Sequence, residues 1–192
     1  MKKIPLSGRY GIGKFALVDD EDFPLLSRHN WFISAIDRCP RARMGRAGMF
    51  FISRIILPVS GGNVVDHKDR NRLNNQKSNL REASNGANQY NIGITVRNTS
   101  GFKGVVKSGH ISDGKATWDA KITRDGKCFF LGTFKNKVHA ASAYNIFAKA
   151  IFGEFAYLNL IPKKQIPSNA VRRGIQKKME EKLEAIKGIL KG

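Results

Sequence analysis

One polar segment contains the residue types that hydrolysis of a phosphodiester needs. Asp66 and His67 are adjacent, and asparagines recur after them, among them Asn79 and Asn88. Carboxylate and amide oxygens are ligands that Mg²⁺ accepts. An imidazole, which titrates near neutral pH, can take a proton from an attacking water. A divalent cation would neutralise charge on the phosphate and on the leaving oxygen. The segment therefore predicts metal-assisted hydrolysis.

Local patterns around this segment predict the elements that position it. Val64 and Val65 precede the Asp-His pair as a strand, a polar stretch follows, and 80–83 is a second short strand. Ser84 is a candidate N-cap for a helix through Tyr90. Adjacent strand residues point to opposite sides, so Asp66 and His67 can face one phosphate only at a bulge or a strand end. The predicted order is strand, loop, strand, helix.

The spacing of these polar residues resembles the HNH endonuclease family, in the branch found in phage and intron-encoded homing nucleases. His67 precedes Asn79 by 12 residues and Asn88 by 21, as the family's ββα-metal fold requires. Two positions depart from the family pattern: Ser53-Arg54 replaces an upstream His, and Arg70 stands where a Gly is usual. The matching positions are Asp66, His67, Asn71, Asn75, Asn79-Leu80-Arg81 and Asn88.

The resemblance implies a role for each matching residue. Asp66 and Asn88 would be the ligands of one Mg²⁺ (or Mn²⁺), and His67 would be the general base. Asn79 would form a hydrogen bond with the imidazole and hold its tautomer. Three other asparagines are expected to shape the loop through bonds from side chain to backbone: Asn71, Asn74 and Asn75.

The charge of the chain predicts a polyanionic partner. Its 192 residues include 34 Lys plus Arg against 15 Asp plus Glu, a net charge of +19, which favours double-stranded DNA.

No apolar run could span a membrane and the first residues contain no signal-peptide core, so we expect a cytoplasmic protein that is not secreted. Cys39 and Cys128 form no Cys-x-x-Cys pair, which argues against zinc, and no small-molecule cofactor is expected.

Residues 1–57 are predicted to form a small β-rich module. Strand patterns occur at 14–18, 31–33 and 49–52, and the acidic start of 19–30 predicts a short helix. An arginine-rich arm over 38–46 contains Arg41, Arg43 and Arg46. These arginines either contact phosphates or belong to a solvated loop.

Residues 99–160 have a second clear pattern. Three strands are predicted at 102–107, 118–123 and 128–134, with an Asp-Gly hairpin turn at 124–127, and then a helix that ends at Gly153. The segment resembles the Apetala-two, or ethylene-response-factor, domain, which implies that the free face of the sheet enters the DNA major groove. The candidate DNA contacts in this segment are Lys103, Lys107, Lys121, Thr123 and Phe130.

The sequence as a whole predicts an α+β chain of four parts: 1–57, the HNH segment with a linker at 58–98, the sheet domain at 99–160, and a basic helix at 161–192 that is either solvated or flanks DNA. We expect a sequence-directed endonuclease that nicks as a monomer and leaves 5′-phosphate and 3′-hydroxyl ends. Two alternatives stay open. One is a DNA-binding regulator with a vestigial nuclease site, and the other is a basic RNA-binding protein.

Overall fold

The computed structural model describes residues 1–33, 35, 39–43 and 48–190. The chain divides into two compact units, Met1–Gln89 and Tyr90–Gly192, and both mix helices with sheets, so the predicted α+β class is confirmed. Within the described ranges, no helix has both the length and the apolar character needed to cross a bilayer.

The first unit contains a five-stranded sheet and a two-stranded sheet. The five-stranded sheet has the order β2-β1-β3-β4-β5, in which β1 and β3 are parallel and the other pairs are antiparallel. Its strands are β1 Lys2–Ser7, β2 Phe15–Val18, β3 Trp31–Ile33, β4 Pro40–Arg43 and β5 Met49–Phe51. The second sheet pairs β6 Val64–His67 with β7 Leu80–Ala83, and the helices are α1 Phe23–Leu26 and α2 Ile52–Ile56. A third helix, α3 Asn85–Asn91, begins in this unit and ends just past its last residue.

Alternating side chains build the core of this unit. In β1, Ile4 and Leu6 are buried while their neighbours are exposed, as expected for a strand with one covered face. Trp31 is buried beside them, and its indole N–H donates to the Leu26 carbonyl at 2.7 Å. A buried indole needs such an acceptor.

Two predictions for this unit need correction, and one strand was missed. The helix expected over 19–30 spans only Phe23–Leu26, and the Asp19 carboxylate ahead of it accepts hydrogen bonds from the polar loop instead. Strand β1 was not predicted. Part of the arginine arm is strand β4, in which the Arg41 guanidinium lies 4.6 Å from the Phe51 ring centroid.

The second unit is a three-stranded antiparallel sheet of order β10-β9-β8 with helices packed on it, which confirms the predicted three strands and helix. Its elements are β8 Val105–Ser112, β9 Lys115–Arg124, β10 Lys127–Phe134, α4 Lys137–Phe152 and α5 Asn169–Leu190, with short 3₁₀ turns at Gly153–Phe155 and Lys163–Gln165.

Two Asp-Gly turns connect these three strands. Asp125 and Gly126 have φ of 51° and 77°, and Asp113 and Gly114 have φ of 51° and 69°. Positive φ at both central residues is the geometry of a tight hairpin turn. The sequence analysis predicted the Asp125-Gly126 turn. The Asp113-Gly114 turn has the same Asp-Gly pair but was not predicted.

The sequence predicted that strand β8 begins at Phe102, but the strand begins at Val105. The Ser100 hydroxyl donates to the Val105 carbonyl at 2.7 Å and accepts from the Phe102 amide at 3.1 Å, so 100–104 forms a turn. Gly104, with φ of 71°, lies against the Tyr144 ring of α4, where a Cβ would come within 2.1 Å of a ring carbon. The close packing of helix on sheet therefore depends on this glycine.

Candidate active site

Strands β6 and β7 place Asp66 and His67 on opposite faces of one pair. Asp66 is opposite Arg81 and His67 is opposite Leu80, without a register shift. Because side chains alternate along a strand, Asp66 shares its face with Arg81, and His67 points to the other side. His67 is the last residue of β6, so it stands at a strand end, one of the two arrangements that the sequence required.

Asp66 forms a buried ion pair with Arg81. The Asp66 Oδ2 atom accepts from Arg81 Nε at 2.8 Å and lies 2.6 Å from Arg81 Nη2. The two side chains are only 5% and 10% exposed. A carboxylate with so little access to water must be neutralised by the protein. Arg81 does this, and the sequence had given it no role.

The imidazole of His67 is held by Asn75 and not by Asn79, which corrects the predicted contact. His67 Nε2 lies 3.3 Å from Asn75 Oδ1, and Asn75 is fully buried. The Asn75 Nδ2 atom donates to the Arg72 carbonyl at 3.2 Å, which turns the amide oxygen toward the imidazole. An amide oxygen at Nε2 favours the neutral tautomer that has its proton on Nε2 and its basic lone pair on Nδ1.

Burial favours the neutral form of this imidazole. Desolvation lowers the pKa of His67 below its ordinary value, and it outweighs the hydrogen bond to Asn75 Oδ1 and the charges of Asp69 and Asp66, which act in the opposite direction. A histidine that is neutral at neutral pH is ready to accept a proton. The environment of His67 therefore suits a general base.

Asn79 closes the polar loop by binding Asp69. The Asn79 Oδ1 atom accepts from the Asp69 backbone amide at 3.0 Å, and its Nδ2 donates to Asp69 Oδ1 at 2.9 Å and to the Asn74 carbonyl at 2.7 Å. Asn79 therefore positions the loop that carries Asn75. Its predicted catalytic role stays a prediction.

The Asp69 carboxylate organises this loop, although the sequence had not marked it. It accepts from the Asn71 amide at 2.8 Å and from Asn74 Nδ2 at 2.8 Å, in addition to Asn79. Partial burial raises the pKa of Asp69, but these hydrogen bonds outweigh it and the net shift is downward. Asp69 is therefore ionised across the neutral range and keeps the loop closed.

The predicted loop-shaping role of three asparagines is confirmed. Each makes a bond between side chain and backbone: Asn71 Oδ1 accepts from Leu73 N at 3.1 Å, Asn74 Oδ1 from Gln76 N at 3.5 Å, and Asn75 Nδ2 donates to Arg72 O. Arg70 has φ of 65°, a left-handed conformation that glycine adopts without strain. This explains why glycine is usual there in the family.

The loop is also fastened to the outer edge of β2. Leu17 donates its amide to the Leu73 carbonyl at 2.7 Å, and the Asn75 amide donates to the Leu17 carbonyl at 2.8 Å. Asp19 accepts from Gln76 Nε2 at 3.1 Å and from the Lys77 amide at 2.8 Å. The first sheet thus supports the residue that holds the imidazole. Nothing in the sequence pattern indicated this support.

Asn88 is half-buried in α3, which Ser84 caps as predicted: the Ala87 amide donates to Ser84 Oγ at 3.1 Å. Within the described ranges, no three His, Cys, Asp or Glu side chains cluster in a way that could hold a metal ion. A cation at this site would therefore take oxygen from Asp66, from amides and from water. That donor set suits a hard, largely hydrated ion.

The candidate DNA contacts of the second unit are not all on one face. Lys121 is opposite Phe130, and Thr123 is opposite Cys128, on the face away from the buried Ala120 and Ile122. Lys107 is opposite Trp118 and so points to the other face.

Lys103, another of these contacts, precedes the strands. Its ammonium donates to the Tyr90 and Ile92 carbonyls at 2.8 and 2.6 Å. In the first unit, the Arg43 side chain and all of Arg46 lie outside the described residues. DNA contact by any of these residues stays a prediction.

Comparison with known proteins agrees with this site. Residues 58–90, which span both strands, the loop and most of α3, match the family model described as HNH endonuclease. An uncharacterized HNH endonuclease of Acanthamoeba polyphaga mimivirus is 32% identical over 159 residues, which are 81% of this chain and 80% of that protein. The chain belongs to the HNH endonuclease family. The family membership makes it a nuclease, and Asp66, His67 and Asn75 lie inside its HNH segment.

Proposed function

We propose that this HNH protein is a sequence-directed DNA endonuclease that depends on a divalent cation and cuts one strand at a time. The observation that carries the proposal is the buried His67 imidazole, which Asn75 orients at the end of the strand that also carries Asp66. The Asp66 carboxylate, although on the opposite face of the strand pair, lies close enough to act electrostatically on this imidazole. A neutral, oriented imidazole and a nearby carboxylate are groups that metal-assisted hydrolysis needs.

His67 acts as the base. With its proton on Nε2 and toward Asn75, the ring takes a proton from the attacking water through Nδ1. The water oxygen bonds to phosphorus while the bond from phosphorus to the 3′ oxygen breaks, and the departing oxygen takes a proton from solvent water. This leaves 5′-phosphate and 3′-hydroxyl ends. Asn79 and Asp69 act indirectly, because they hold the loop that positions Asn75.

Asp66 and Asn88 are the proposed ligands for Mg²⁺ or Mn²⁺, since both offer hard oxygen atoms. When bound, such a cation neutralises negative charge on the phosphate and the departing oxygen. Arg81 remains paired with Asp66 Oδ2 and keeps that carboxylate in place.

The second unit is the proposed DNA-recognition domain, of Apetala-two type. Lys121, Thr123 and Phe130 lie on the open face of its sheet, and Phe130 is 49% exposed. A two- or three-stranded surface of this kind fits a major groove. One active site per chain predicts a nick by a monomer, as in homing or free-standing phage enzymes.

Nicking of supercoiled plasmid tests the proposal. The purified protein with Mg²⁺ or Mn²⁺ should convert supercoiled to open-circular DNA, EDTA should stop it, and His67→Ala should reduce the rate at least about a hundredfold. His110→Ala, which changes an exposed histidine of β8, is the matched control and should nick at the parental rate. Nicking by His67→Ala at the parental rate would refute the assignment. Binding without any cation-dependent cleavage would instead favour the regulator with a vestigial site.

A further inference from the structure

The C-terminal helix α5 is part of the second unit's core. Ile175, Met179 and Ile186 of α5 are buried in the same cluster as residues of the sheet and of α4. Three buried side chains spaced by four and seven residues form one stripe of a helix. The sequence predicted a solvated or DNA-flanking helix; one stripe is buried, and the remaining faces are largely exposed.

Two lysines of α5 lie along the outer edge of β10. Lys182 Nζ donates to the Phe130 carbonyl at 3.1 Å and is 5.5 Å from the Phe130 ring centroid. Lys178 Nζ is 5.3 Å from the Phe134 ring centroid. It also approaches Gly132, where an added Cβ would come within 3.2 Å of it. The absence of a side chain at Gly132, directly after the bulge in β10, thus leaves room for a lysine at the edge strand.

These two ammonium groups lie along the edge of β10 and reach different faces of it. Phe130, which Lys182 touches, pairs across the strands with Lys121 on the open face, whereas Phe134, beside Lys178, pairs with Trp118 on the covered face. The Lys182 ammonium therefore continues a surface that already carries a cation and an exposed aromatic ring, and Lys178 follows along the same edge. Ammonium groups at the edge of the sheet can contact the negatively charged phosphates that lie beside a DNA groove.

The distribution of charge along α5 agrees with this. No acidic residue occurs from 169 to 179. The acids follow at Glu180, Glu181 and Glu184. At about 100° per residue, they are turned about 100° to 160° away from Lys182, whereas Glu181 is only about 60° from Lys178. The side of the helix at Lys182 is therefore basic.

We propose that α5 extends the DNA-binding surface of the second unit, with Lys178 and Lys182 contacting backbone phosphates of a duplex seated on the open face. The inference rests on the proposed function, since it takes duplex DNA as the partner. A helix that only covers the edge of β10 is the competing explanation.

Salt-dependent binding separates the two explanations. The probe is a fluorescent mixed-sequence duplex of about 40 base pairs, titrated in EDTA with full-length protein at several salt concentrations. Each phosphate contact contributes about 0.9 to the slope of log K against log salt. The double variant Lys178→Gln/Lys182→Gln should therefore lose about 1.8 of slope and at least about tenfold in affinity at 0.1 M salt.

The matched control, Lys163→Gln/Lys164→Gln, removes two exposed charges elsewhere in the same unit and should change the slope far less. Lys178→Arg/Lys182→Arg should restore parental binding, whereas loss of binding in this charge-conserving variant would overturn the inference. So would a glutamine variant whose slope falls no more than that of the control. A parent that binds no duplex would instead overturn the proposed function itself, so the two failures are distinguishable.

Discussion

Arg81→Met tests the buried ion pair on which the geometry of Asp66 depends. The substitution keeps an apolar stem and removes the charge, so Asp66, 5% exposed, loses both N–H contacts, at 2.8 and 2.6 Å, without access to replacement water. Removal of one partner from a buried pair costs about 3–5 kcal/mol. Since whole domains are stable by only about 5–15 kcal/mol, the first unit should be strongly destabilised.

Urea unfolding followed by tryptophan fluorescence measures this cost. Trp31 is 1% exposed in the core of the first unit and reports its unfolding, and Trp118→Phe in every variant removes the signal of the second unit. The matched variant Asp66→Asn/Arg81→Met removes both charges. Its loss should be smaller than the sum of the single losses by at least about 1.5 kcal/mol. Additive losses, or a cost of Arg81→Met below about 1 kcal/mol, would refute the reasoning.

The same variants test whether Asp66 binds a cation. In Arg81→Met the Asp66 carboxylate no longer pairs with a guanidinium and should bind Mg²⁺ more tightly. By mass action, Mg²⁺ should then raise the free energy of unfolding of this variant more than that of the parent. Asp66→Asn should abolish the Mg²⁺ effect. An equal Mg²⁺-induced shift in the parent and in Asp66→Asn would exclude Asp66 as a ligand.

Three further outcomes follow from named contacts. Asn75→Ala should slow plasmid nicking about 10- to 100-fold, because it frees the imidazole that Asn75 orients; an unchanged rate would leave Asn75 without that role. Because the pKa of His67 is lower in the folded protein than in the unfolded chain, the unfolded chain binds a proton on this imidazole at a higher pH. In EDTA, the free energy of unfolding should therefore be greatest above about pH 6.5 and fall as the pH drops below it. Urea titrations in which His67→Ala keeps the same pH dependence would contradict this. Gly104→Ala should cost several kcal/mol of stability, since its Cβ would overlap the Tyr144 ring, whereas Gly101→Ala, with φ of 79° but open space, should cost only about 1 kcal/mol; thermal melts with equal losses would refute the packing argument.

Much of the local structure was predictable because its causes are local. Alternation of apolar residues identified β9, an Asp-Gly pair identified the turn that leads back into β10, and Ser84 identified the start of α3. Each of these signals acts within a few residues along the chain. The boundaries were less predictable: β8 starts three residues late because the Ser100 hydroxyl holds a turn there.

The sequence by itself determined the set of residues in the HNH segment, since their types and intervals are properties of the chain. Only the tertiary structure decided which of them meet. In the folded protein Asp66 pairs with Arg81, and the His67 imidazole contacts Asn75. Asn79 closes the loop instead, and that loop binds β2 at Leu17. Several asparagines of one loop offer the same amide group, and sequence spacing cannot choose among them. The choice depends on backbone direction and on burial, which exist only once the sheets have formed.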